Sequence, residues 1–62
     1  MIEETPEDLA RDLLRLGMLF AAESGDMRIV WRAYGDARNL VEHPLAVLTE
    51  QERAEFKCLL GC

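Results

Sequence analysis

Cys58 and Cys62, four residues apart, and the single His43 are the side chains with the widest chemical repertoire in this chain. Two thiols and an imidazole would suit a soft metal ion or a redox couple. Zinc, however, takes four ligands, and its cysteine pairs usually stand closer than this. Cys58 beside Leu59 reads instead as a small core hydrophobe, and Cys62 as a loose terminal thiol. His43 precedes Pro44 at an expected helix end, where an imidazolium would complement the helix dipole. The only serine, Ser24, stands in an expected turn with no His or acid spaced to activate it. The carboxylate pairs Glu3/Glu4, Glu7/Asp8 and Glu50/Glu52 fall at helix starts, where caps and dipoles account for them. Gly17, Gly25, Gly35 and Gly61 are scattered, which leaves no phosphate-cradling loop. The expectation is a protein with no catalytic residue, no cofactor and no metal site.

Arg28, Arg32 and Arg38, with Trp31 and Tyr34 on the same stretch, form the other set with a recognisable chemistry. They would touch phosphates, and the Ser24-Gly25-Asp26 break between two helical stretches resembles a helix-turn-helix in outline. Twelve acids against seven Lys and Arg, a net charge of −5, oppose that use. Asn39 is the one amide reader on the second helix, and it lies past the middle. A nucleic-acid-binding regulator is therefore the alternative reading and a disfavoured one. The acids cluster at the ends, Glu3, Glu4, Glu7, Asp8 and Asp12 in one group and Glu50, Glu52 and Glu55 in the other. Such clusters can imitate phosphates in a basic groove; solubility and dipole compensation are the favoured account.

The elements that position these residues are helical. Little β-branched material is present from which to build strands. Thr5-Pro6-Glu7-Asp8 carries a cap, a proline suited to the first turn and acids for the dipole, so helix 1 is expected over about 6–23. Gly25 suits a left-handed terminator and Asp26 (or Ser24) a cap, which starts helix 2 over about 27–42, ended by Pro44. On helix 2, Arg32 and Asp36, and Arg38 and Glu42, are spaced for ion pairs. Pro44–Leu48 is an apolar connector expected to lie across the hairpin. Thr49-Glu50-Gln51-Glu52 is a capping box opening helix 3 over about 50–60. Residues 1–4 are expected to be a frayed tail, and residues 1–62 one small domain.

The apolar residues repeat as two seams. Leu9, Leu13, Leu16 and Phe20 are spaced 4, 3, 4; Met27, Val30, Tyr34, Ala37 and Val41 are spaced 3, 4, 3, 4. So short a break between them predicts an antiparallel hairpin with Leu16, Phe20, Val30, Tyr34 and Ala37 at its centre. Ala10, Gly17 and Ala21 form a line of small residues that would let another backbone come close, which explains a glycine in mid-helix. From Leu16 to Ala22 every residue is apolar or Gly, more than one neighbouring helix can cover. A chain of 62 residues buries only about 60% of its unfolded surface. The expectation is thus an all-α hairpin plus a short C-terminal helix, completed by homodimerisation into a bundle or by docking on a larger protein; a third helix of the same chain is the competing cover.

Function follows from surface alone. The expected role is a small acidic interaction protein, a regulator, adaptor or inhibitor, binding a partner protein through Met18, Leu19, Ile29 and Trp31. The longest apolar run is too short to span a bilayer, and the acidic N-terminus does not resemble a targeting segment. No membrane role and a cytoplasmic setting are expected.

Overall fold

Thr5 starts the first helix as its residue types require: its Oγ1 accepts from the Asp8 N–H at 3.2 Å, and Pro6 fills the first turn. The computed structural model describes residues 5–61; residues 1–4, expected as a frayed tail, and Cys62 lie outside the described residues. Helix α1 spans Pro6–Ser24, α2 Arg28–Arg38 and α3 Glu50–Gly61, with a short 3-10 turn over Pro44–Val47. Among the described residues there is no strand, so the all-α expectation holds.

Gly25 ends α1 with φ 74°, the left-handed conformation that glycine adopts without steric cost, and its N–H donates to Ala21 O at 2.7 Å. Ser24 Oγ accepts from the Asp26 N–H, and Asp26 Oδ1 accepts from the Arg28 N–H at 3.0 Å. Asp26 thus meets the first N–H of α2 from one residue ahead of the N-cap position, which Met27 occupies without a side-chain bond, while Ser24 closes the turn and does not cap α2. Helix α2 ends at Arg38, four residues before the expected boundary at 42. Its last turn tightens: the Asn39 N–H reaches Asp36 O, and the Leu40 N–H reaches Ala37 O at 3.0 Å. His43, ahead of Pro44, stands at φ −124° and ψ 81°, outside helical geometry as a residue before proline favours, so the helix has to end earlier.

Pro44 and Leu48 are buried, so the connector lies on the hairpin as expected. It is fastened from both sides. Arg11 Nε donates to Val47 O at 2.9 Å, and Arg53 donates to Leu45 O and Leu48 O. The Thr49 capping box is complete: Thr49 Oγ1 accepts from the Glu52 N–H, and Glu52 Oε1 accepts from the Thr49 N–H.

The hairpin closes on a different face of α1 from the one the leucine seam suggested. The core residues of α1 are Ala10, Leu14, Gly17 and Ala21, set against Val30, Ala33 and Ala37 of α2, with Leu48 and Phe56 completing the cluster. The small residues win because they let the two backbones approach. A Cβ built on Gly17 would overlap the Cβ of Ala33, and Ile29 O lies 3.7 Å from that position. Of the five residues expected at the centre, Val30 and Ala37 are buried and Tyr34 is half-buried. Leu16 and Phe20 stand outside it. Of the remaining seam residues, Met27 and Val41 pack against the edge of the core.

Candidate interaction surface

With the core on one stripe of α1, the other stripe is left uncovered. Each helical residue advances about 100°, so Leu9, Leu13, Leu16 and Phe20 form a band about 100° round from the Ala10–Ala21 stripe. Leu13 is half-buried, and Leu9, Leu16 and Phe20 are 39%, 49% and 51% exposed. Isolated exposed leucines are ordinary; four large apolar side chains in one row are not.

The third helix does not cover this row, because it sits on the opposite side of the hairpin. There the Tyr34 and Phe56 rings stand 6.2 Å apart. An open groove of about 330 Å³ runs between α1 and α3, lined by Met18, Ala22, Glu55, Cys58 and Leu59. Arg15 Nε donates to Glu52 Oε2 at 2.6 Å across the same side. The flank of α2 turned away from α3 carries Ile29, Arg32 and Asp36 by the same helical arithmetic, and Ile29 is the residue whose backbone faces Gly17. The uncovered face of the hairpin thus combines the α1 row with Ile29, Arg32 and Asp36, and Leu40 follows just past the helix end.

Met18, Leu19, Ile29 and Trp31, expected as one hydrophobic binding patch, are dispersed. Met18 packs against the core edge and lines the α3 groove. Ile29 packs against the core from the other flank. Leu19 (55% exposed) borders the outer edge of the leucine row, and Trp31 (56% exposed) points away on the far side of α2. The spacing gives the reason: Ile29 and Trp31 are two residues apart, about 200° round a helix, and cannot share a face.

The arginines of the alternative reading are dispersed as well. Arg28 is tied to Asp26, its Nε 3.0 Å from Oδ1 and its other nitrogen 3.0 Å from Oδ2. The Arg28 guanidinium and its backbone N–H hold the Asp26 carboxyl below the usual carboxylate range, and the carboxylate raises Arg28 in turn. Arg38 lies on another face from Arg28 and Arg32. The expected i,i+4 pairs Arg32–Asp36 and Arg38–Glu42 do not form among the described residues, where the ion pairs are Arg11–Asp8, Arg15–Glu52 and Arg28–Asp26.

Cys58 is exposed on α3 and not the core hydrophobe its neighbour Leu59 suggested, since Phe56 takes the buried position of that helix. His43 is exposed beside the 3-10 turn. Among the described residues no three His, Cys, Asp or Glu side chains are gathered as a metal site would need. No described helix is long and apolar enough to cross a membrane.

The Arg15–Glu52 pair, unforeseen in the sequence, makes α3 sensitive to acid. The Arg15 guanidinium, then the Thr49 N–H, hold the Glu52 carboxyl down to about 2 from an ordinary 4.5. A group lowered on folding contributes stability above its unfolded value and loses it as pH falls toward the folded one. The start of α3 should therefore loosen as pH falls from about 4.5 toward 2. Amide exchange in residues 50–53 would follow this, and Glu52→Gln should show the loosened behaviour already at neutral pH with little further change.

Comparison with protein-family models, with curated proteins and with solved structures finds no match.

Proposed function

We propose that this chain is a small helical interaction protein, an adaptor or regulator without catalysis, whose binding surface is the Leu9, Leu13, Leu16 and Phe20 row. The occupant of that surface is a second copy of the chain, and the working unit is a homodimer with a four-helix core. One observation carries this reading: α1 gives the core only two alanines, a glycine and Leu14, while Leu9, Leu16, Leu19 and Phe20 of the same helix stay exposed. Leu9, Leu16 and Phe20 keep 39–51% of their surface exposed, so covering each recovers roughly half of the ~1.5–3 kcal/mol that full burial of such a side chain contributes, which a marginal chain of this size has reason to use. Seam spacing of 4, 3, 4 is also the spacing that helix pairs interdigitate. Dimerisation would leave Trp31, Arg28 and the acidic ends outward, available to a further protein.

Light scattering after size exclusion, in reductant and over a wide dilution series, tests the reading. The expected mass is twice 7.1 kDa. Leu16→Asp with Phe20→Asp should halve it while leaving the helical circular dichroism intact, because neither side chain is in the protomer core. A wild-type chain that runs as a folded 7.1 kDa monomer throughout would overturn self-association. The alternative, nucleic-acid contact through Arg28, Arg32 and Arg38, is less well supported, since Arg28 is engaged by Asp26 and Arg38 faces elsewhere. Its sign would be binding that weakens steeply with salt.

A further inference from the structure

We infer that the two copies meet face to face about a twofold axis perpendicular to α1, antiparallel, so that Leu13 meets the partner's Leu16, Leu9 meets the partner's Phe20, and Arg32 meets the partner's Asp36. This rests on the self-association proposed above and adds its geometry.

The spacing of the row supplies the first reason. Read backwards, 4, 3, 4 is unchanged, so an antiparallel copy centred between Leu13 and Leu16 sets large apolar residues on large apolar residues throughout. The second reason comes from α2 and is independent of the first. Gly17 lies against Ala33 and Ile29, and the helices run in opposite directions, so the centre between Leu13 and Leu16 is level with about residue 34 of α2. Arg32 and Asp36 bracket that level, on the same uncovered face. A twofold axis there carries each onto the level of the other, and neither has an ion-pair partner among the described residues. The symmetric assembly makes two Arg32–Asp36 pairs between chains.

The other closed arrangement, with the axis parallel to the helices, sets α1 on the partner's α2. Leu13 and Leu16 would then cover the partner's Asp36 and the partner's Arg32, pressing apolar side chains onto unpaired charges. The antiparallel arrangement also keeps the acidic Glu7, Asp8 and Asp12 of the two copies at opposite ends of the interface.

Two experiments on the full chain separate these possibilities. In a Cys58→Ser, Cys62→Ser background, Leu16→Cys lies close to the axis, its two copies offset by only about 4.5 Å along the helix, and should oxidise to a covalent dimer. Leu9→Cys should not cross-link to itself, because its copies are separated by about 16 Å, but should cross-link to a Phe20→Cys chain. Self-cross-linking of Leu9→Cys, or a light-scattering dimer in which Leu16→Cys stays reduced, overturns the register while leaving self-association standing.

The charges are then tested by mixing. Arg32→Asp and Asp36→Arg should each weaken the homodimer, by roughly tenfold, since each sets like charges against like at two symmetric places. An equal mixture should form heterodimers in preference to either homodimer. Mixing cannot repair a pair within one chain, so a heterodimer preference reports contact between chains. Unchanged homodimers and a statistical mixture would overturn the Arg32–Asp36 contact. A wild-type monomer would overturn the dimer itself.

Discussion

Gly17→Ala is expected to destabilise the protein by about 1–3 kcal/mol, although alanine is the better helix former by roughly 1 kcal/mol. The added methyl would overlap the Cβ of Ala33, and that atom cannot swing aside. It is fixed directly to the α2 backbone, whose Ala33 Cα and Ile29 O also lie within 4.0 Å of the new position. Either α2 moves off α1 or the methyl is compressed. Both loosen a core whose other α1 members are Ala10, Leu14 and Ala21. Urea unfolding followed by circular dichroism would read this, and in a domain this small each kcal/mol lowers Tm by about 4–8 °C. Gly17→Val should cost more. The partner substitution sharpens the test: Ala33→Gly, harmful alone, should recover part of the loss when combined with Gly17→Ala, because the methyl is handed from one helix to the other. A Gly17→Ala chain more stable than wild type would mean that the backbones are not in close contact.

The same contact explains what the sequence did and did not make legible. Helix starts were readable because capping is local: Thr5, Asp26 and Thr49 each satisfy an N–H within three residues. The α2 side of the hairpin was also readable, since Val30 and Ala37 of its seam are buried. The α1 side misled. Two stripes compete on that helix, one of leucines and one of small residues, and periodicity alone gives preference to the bulkier. Which stripe faces α2 depends on how closely the backbones approach, a property of both helices together. The leucine row has the spacing of a seam, yet within the protomer Leu9, Leu16 and Phe20 lie outside the core. Apolarity alone groups Met18, Leu19, Ile29 and Trp31, whereas about 100° per residue distributes them over several faces. Arg15 and Glu52 are 37 positions apart, and only the docking of α3 brings them together. Cys58 is exposed although Leu59 follows it, because Leu59 and Leu60 are themselves only partly covered and Phe56 alone is fully buried on α3.

Phe56→Ala is expected to have the largest effect of any single truncation, about 3–5 kcal/mol. Phe56, Leu14 and Val30 are the largest side chains with no exposed surface, and Phe56 is the only buried residue of α3. Its ring touches the core that α1 and α2 share and stands against Tyr34. Removing it takes from α3 its only fully buried anchor, leaving the Arg15–Glu52 pair, the Arg53 bonds to the connector and the partial cover of Leu59 and Leu60. Exposed ion pairs contribute at most about 1 kcal/mol and do not replace a buried ring. A domain of 62 residues has a total stability of roughly 3–9 kcal/mol by the usual per-residue range. At the high end of that range the variant keeps about half its stability; at the low end it is largely unfolded, or folded only where self-association adds to it. That last condition makes the outcome informative: the leucine row of α1 lies on the side away from α3, so a dimer closed over it should partly rescue Phe56→Ala as protein concentration rises. Unfolding midpoints measured across a dilution series would show that dependence. A midpoint independent of concentration would mean that the core cluster around Phe56 carries the fold without support from a second copy.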